Sequence, residues 1–284
     1  MRGRSASAQP SHKRIFGAQH TQHRSGAFAL PVSDDHSNDS PITQFLVPER
    51  RDRLNRVASK RTRSLTIVLD RVANAHNISA VMRSADAFGI QELHLIGDEF
   101  AFSGGISLGA EQWLDIHRYH DESALIDSLR ARGFRFVTLE APNLDGTAEE
   151  RTIPVFRLPF DQKLALVFGN EHRGISDRLR ATADFRAFIP MFGFVESFNI
   201  SVAAAITMFC SVLGDVSGER AVDLLPEIDR KELFERWAEL SVRDGAKIRA
   251  ELEKRKLRDI DRAPDEYRTR YRFLGLFSAR IISR

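Results

Sequence analysis

Residues Leu65 to Gly97 read LTIVLDRVANAHNISAVMRSADAFGIQELHLIG. The stretch opens on six residues rich in aliphatic side chains (65–70), passes a polar turn, and then changes period. From Asn77 to Phe88 the apolar residues Ile78, Val81 and Met82 fall at the spacing of a helix with one buried face. A second β-rich run, ELHLIG, closes the unit at 92–97. Strand, helix, strand is the signature of parallel strands joined by a crossover. The alternation continues along the chain, with strands expected at FRFVTLE (134–140), KLALVFG (163–169) and FRAFIP (185–190). Helices are expected over 77–88, 122–132, near 175–182 and over 199–213. Such a pattern specifies an α/β domain built on a mostly parallel sheet.

Arg83 stands apart from that packing pattern. It lies about two turns into the first helix, between small residues, where a guanidinium is costly to desolvate without a partner. Either it pairs with Asp86 three residues later, or it holds a ligand. Asn77 reads as the N-cap of this helix.

Composition sets the outer bounds. A chain of 284 residues with 42% hydrophobic content can bury a sizeable core. Its single cysteine, Cys210, excludes an intramolecular disulfide and a cysteine-rich metal site, and suits a reducing compartment. The nine histidines are scattered without ligand spacing, so no metal is expected. No apolar run approaches the roughly 18 residues of a membrane span, so no membrane partner is expected either. No P-loop or dinucleotide fingerprint is present.

The flanks differ from the middle. Residues 1–44 read as a disordered basic tail. The absence of acidic residues from positions 1–33 also fits an organelle transit peptide, the alternative to a cytoplasmic location. The run PERRDRLNRVASKRTR (48–63) carries seven basic residues against two acidic ones. Leu54 and Val57 give it an apolar stripe, and its outer face is either merely solvated or in contact with phosphates. After Gly218 the chain turns helical and charged, with Leu233, Trp237 and Leu240 on one face. The end, YRTRYRFLGLFSARIISR, interleaves arginines with aromatics, a composition that serves either packing or RNA contact. The expected division is a tail (1–44), a basic helical region (45–64), a catalytic domain (65–215) and a helical, basic C-terminal extension (216–284).

In an open parallel sheet, ligands bind beyond the carboxyl ends of the strands. Three segments occupy such ends: the helix carrying Asn77 and Arg83, FGNEHRG (168–174), and IPMFGFVESFNISVAAAI (189–206). In the second, Gly169 and Gly174 flank the polar Asn170 and Glu171. In the third, Ser197 or Asn199 can cap a helix of small apolar residues, preceded by a loop that is unusually apolar for an exposed connection.

Taken in order, NISAVMR (77–83), FGNEHRG (168–174) and IPMFGFVESFNISVAAA (189–205) resemble the three motifs of the SpoU, or SPOUT, RNA methyltransferases. Within that family they are most similar to the TrmH type, which methylates the ribose 2′-hydroxyl of a guanosine in the tRNA D-loop. The resemblance covers roughly residues 45–250. It implies a parallel sheet sandwiched by helices with a C-terminal trefoil knot, a homodimer, and S-adenosylmethionine as cofactor. It implies that Leu139, Gly169, Ile189 and Phe198 line the cofactor pocket. Arg83 would be the catalytic arginine, binding phosphate and polarising the 2′-hydroxyl, with Asn77, Glu171, Ser197 and Asn199 in the supporting network. Phe198 departs from the commoner leucine of the motif, and His172 and Arg173 depart from its usual small or lysine residues. The substrate expected from the resemblance is tRNA, with ribosomal RNA as the alternative. A non-catalytic RNA-binding protein on the same fold is the alternative of another class.

Overall fold

A computed structural model describes residues 41–97, 109–141, 152–213 and 222–262, the last seven of these as helical backbone only. The opening unit forms as its periodicity predicts. β1 (Thr62–Asp70) and β2 (Ile90–Ile96) run parallel, joined by α2 (Ala75–Phe88), and α1 (Pro48–Ala58) precedes them. Then follow β3 (Asp115–Tyr119), α3 (Glu122–Ala131), β4 (Arg135–Leu139), β5 (Thr152–Pro154), β6 (Leu164–Phe168), α4 (Asp177–Thr182), β7 (Phe185–Phe188) and α5 (Ile200–Leu213). α6 (Glu227–Ser241) and α7 (Gly245–Arg262) complete the described chain. Among the described residues the sheet has seven strands in the order β3-β2-β1-β6-β4-β7-β5, all parallel.

The central strands are apolar on both faces, as parallel strands covered on both sides must be. On one face Leu65, Ile67 and Leu69 of β1 pack with Ile78, Val81 and Met82 of α2 and with Ala204 and Met208 of α5. On the other, Val68 packs with Leu125 and Leu129 of α3 and Leu179 of α4. A third cluster joins the N- and C-terminal helices: Leu54 and Ala58 of α1 meet Leu233, Phe234 and Trp237 of α6. Arg61 ties this cluster to the sheet. Its side chain is 1% exposed, pairs with Asp86 and stacks on Trp237 at 5.0 Å. Burial pulls this guanidinium below its usual value, opposed by Asp86.

Several expectations need correction. The basic helix stops at Ala58, and its last predicted residues already belong to β1. β3 and β5 were not predicted: DIHRY is a half-exposed edge strand without an apolar run, and TIP is three residues long. Leu240 does not share the buried face of Leu233 and Trp237; it is 52% exposed. The N-cap of α2 is Asn74, whose side chain accepts from the His76 amide, so Asn77 lies inside the first turn. The tail expected over residues 1–44 ends sooner: Pro41–Phe45 form a short 3-10 helix that buries Ile42 in the third cluster, while residues 1–40 and the arginine-aromatic terminus lie outside the described residues. Among the described residues no helix is long and apolar enough to cross a membrane.

Candidate active site

β6, β4 and β7 are neighbours in the sheet, so their carboxyl ends open on one place. There the chain leaves a cavity of about 580 Å³, within the range of small-molecule sites. Phe168, Leu139, Ile189, Phe198 and Ile200 give it an apolar side; Asn170, Glu171, Ser197, Asn199, Glu140 and Arg180 give it a polar one. The four residues expected to line a cofactor pocket, Leu139, Gly169, Ile189 and Phe198, therefore share one cavity wall.

Gly169 is where that wall requires glycine. Residues 170–174 form a tight turn closed by reciprocal backbone bonds between Asn170 and Gly174, both 2.9 Å. The turn folds back so far that a Cβ on residue 169 would sit 2.3 Å from the Gly174 carbonyl carbon. Gly174 itself has φ +69°, the left-handed region that glycine takes without strain. Side chains then pin the turn to the end of β1. Asn170 accepts from the amides of His172 (2.9 Å) and Arg173 (3.1 Å), and donates to the Arg71 carbonyl at 2.7 Å. Buried Asp70 accepts from the Ser176 amide at 2.7 Å. Asn170 stood out in the second motif without a role assigned to it; Asp70 was not predicted, since a lone aspartate ending a strand carries no motif.

The turn holds Glu171 against the start of α2, and the three motif segments meet through their polar side chains. Asn77 Nδ2 donates to Glu171 Oε1 at 2.7 Å, and Asn199 Nδ2 donates to Asn77 Oδ1 at 3.2 Å. Asn199 Oδ1 in turn accepts from the Ser201 amide (2.9 Å) and hydroxyl (2.6 Å), capping α5. Every donor in this relay points toward Glu171, which leaves the carboxylate as the acceptor end of the chain. Ser197 lines the same cavity without joining the relay.

Arg83 does not join it either. Six residues after Asn77, it lies roughly 9 Å along the helix axis and about 120° around it. Its side chain is exposed, so the desolvation cost expected from the sequence does not arise. Asp86 is held by Arg61 instead, and Arg83 has no hydrogen-bond or ion-pair partner among the described residues. It stands at the surface, outside the cavity lining.

Cross-strand register also gathers Glu92, His94 and His117, whose ligand-type atoms lie within 4.8 Å of one another. Linear spacing gave no hint of this group. Both Glu92 oxygens face guanidinium groups, Arg63 at 3.2 Å and Arg132 at 2.5 Å. Burial raises the Glu92 carboxyl, but His94 and Arg132 outweigh it and bring the pKa to about 2.

A parallel sheet with this cavity at its carboxyl edge, and three motif segments meeting beside it, defines an α/β protein with a preformed site for a small ligand. The chain belongs to the SpoU rRNA methylase family, whose profile matches residues 64–209. It is 31% identical over 170 residues to a tRNA (guanosine(18)-2′-O)-methyltransferase of Borreliella burgdorferi, covering 59% of this chain and 75% of that protein. It is 30% identical over 191 residues to the 23S rRNA (guanosine-2′-O-)-methyltransferase RlmB of Vibrio cholerae, covering 65% and 74%. The fold is similar to that of the A. aeolicus TrmH/SpoU tRNA modifying enzyme, with a TM-score of 0.59 at 27% identity, over 69% of this chain and 98% of the other.

Proposed function

We propose that the chain is an S-adenosylmethionine-dependent RNA 2′-O-ribose methyltransferase whose substrate is guanosine 18 of tRNA. One observation carries this: the Asn199–Asn77–Glu171 relay, whose two ends line the cavity, in a chain 31% identical to a tRNA (guanosine(18)-2′-O)-methyltransferase. The cavity suits the cofactor, since Leu139, Ile189 and Phe198 offer an apolar bed for adenine and Gly169 exposes backbone beside it. When bound, the cofactor supplies an electrophilic methyl group on a sulfonium. The protein's task is alignment of the ribose hydroxyl with that methyl, which can account for a large share of a displacement barrier.

Arg83 meets the RNA from outside the cavity, pairing with a backbone phosphate and polarising the 2′-hydroxyl. A guanidinium keeps its proton, so the hydroxyl proton leaves to a phosphate oxygen or to water. Asn77 holds Glu171 in place, and Asn199 holds Asn77. Ser197 contributes a hydroxyl to the substrate side of the cavity.

Two finer features of the family belong to the same proposal. A trefoil knot is supported by the two ends of the 189–200 segment, Ile189 with Met191 and Ser197 to Ile200, which line one cavity with Leu139–Ala141 and with the turn after Gly169. A homodimer is supported by an apolar surface on that segment and on α5: Phe192 and Phe194 are fully exposed, Val195 largely so, and Val202 and Phe209 about half so. A tRNA substrate accords with a cytoplasmic location. The 30% identity to a 23S rRNA enzyme favours ribosomal RNA as the second reading.

The test is transfer of labelled methyl from S-adenosylmethionine to bulk tRNA and to ribosomal RNA, with wild type and Arg83→Ala. The expected result is tRNA labelling that the substitution abolishes. Labelling of ribosomal RNA alone moves the substrate to the second reading. RNA binding without labelling of either makes the chain a non-catalytic binder.

A further inference from the structure

The polar side of the cavity has a second group that the relay does not use. Glu140 follows Leu139 at the end of β4, its amide fixed on the Ala187 carbonyl at 2.9 Å. Arg180 reaches it from α4. The two side chains face each other with Arg180 Nε 3.8 Å from Glu140 Oε1. That separation is too long for a hydrogen bond, yet both atoms are shut off from solvent and have no other partner. Buried polar atoms left unpaired are costly and rare, and here two stand about 1 Å short of satisfying each other. The pair is therefore set open.

The guanidinium is committed on its other side, where Arg180 Nη2 donates to the Ile175 carbonyl at 3.4 Å. The second oxygen of Glu140 makes no hydrogen bond among the described residues. So the group offers the cavity a carboxylate backed by a tethered cation. A carboxylate accepts two hydrogen bonds side by side, and a vicinal diol donates two; acidic side chains hold nucleotide ribose in this way elsewhere. Position agrees, because Glu140 lies one residue step, about 3.3 Å, beyond Leu139 and the apolar bed. A base lying on that bed brings its own ribose to the next residue.

We propose that Glu140 binds the 2′- and 3′-hydroxyls of the cofactor's ribose, and that Arg180 is a positioning residue that closes on Glu140 when the diol is bound. The assignment rests on the cofactor reading above. It makes the affinity for any adenosine ligand depend on Glu140, whatever that ligand carries at its 5′ end.

Isothermal titration of the full chain with S-adenosylhomocysteine and with methylthioadenosine, which keeps the ribose but lacks the amino-acid tail, tests it. Glu140→Ala is expected to weaken both ligands by the same factor, roughly ten- to hundredfold. Glu140→Gln, which keeps one acceptor and the side-chain volume, should recover part of that loss. Arg180→Met should weaken both ligands alike by a smaller factor. Weakening of S-adenosylhomocysteine alone would overturn the proposal, because the pair would then read the amino-acid tail. Unchanged affinity for both, in variants that melt as wild type does, would also overturn it. Failure of the wild-type chain to bind either ligand would instead bring down the cofactor reading itself.

Discussion

Asn77 spends its amide nitrogen on Glu171 and its amide oxygen on Asn199, so neither end can be exchanged without consequence. Asn77→Asp keeps the shape but replaces the donor by a second carboxylate beside Glu171. Like charges at hydrogen-bond distance repel, and Glu171 must turn away. Misplacement of a supporting group by about 1 Å can cost a hundredfold in rate, whereas one lost hydrogen bond costs only about 1 kcal/mol in stability. The variant is expected to melt close to wild type and to transfer methyl about a hundredfold more slowly. Initial rates and thermal melts on the same preparation check this, and undiminished turnover would count against the relay as alignment. The residues of the relay were legible as motifs, since each sits beside an apolar run that ends abruptly. Their contacts were not, because they join positions 94 and 122 residues apart. Glu140 and Arg180 were illegible for a different reason: in sequence each is an ordinary charged residue beside an apolar one, and only the convergence of β4 with α4 makes them a pair.

The elements that the sequence made plain are those covered on both sides. β6 is a continuous apolar run, β1, β2 and β4 are rich in aliphatic and β-branched residues, and α2 and α5 carry their stripe or their small residues openly. β3 escaped because an edge strand faces solvent and carries charge, so its pattern resembles a loop. That edge has its own pH behaviour. His94 is wholly buried on β2, stacked on His117 at 4.8 Å; neither ring nitrogen makes a hydrogen bond, Nε2 standing 3.9 Å from Glu92 Oε2. Burial, the largest influence, pushes its pKa below the ordinary histidine value, with Glu92 opposing. The unfolded chain thus binds a proton near pH ~6.5 that the folded chain refuses. The sign follows from linkage: the contribution is full above that pH and declines as the pH falls through it. Urea unfolding at pH 7.5, 6 and 5 should show this decline in wild type, and His94→Phe should flatten it. An equally steep decline in the variant would locate the titration elsewhere.

At the scale of the whole molecule, the sheet, its two helical layers and the α1–α6 cluster account for nearly all the large buried side chains. The phenylalanines of residues 192–198 are the conspicuous remainder. A loop presenting Phe192 and Phe194 at full exposure is unusual unless another surface covers it. A second copy of the chain supplies that cover in the proposed homodimer. Sedimentation equilibrium should find the wild type dimeric at micromolar concentration and Phe192→Ser/Phe194→Ser shifted toward monomer. A wild-type monomer would leave the patch for another partner. No pattern in the sequence could have set the relation of this loop to the cavity, because that relation depends on how the chain returns after β7.

Asn199 opens α5 with one end of its amide and reaches Asn77 with the other. The helix whose outer face offers Val202 and Phe209 is thus started by the same residue that orients the site. Anything that firms the first turn of α5 firms the relay, and anything that fixes the relay steadies that face. Binding in the cavity and association of two chains would then be reciprocal: each would strengthen the other by one and the same factor.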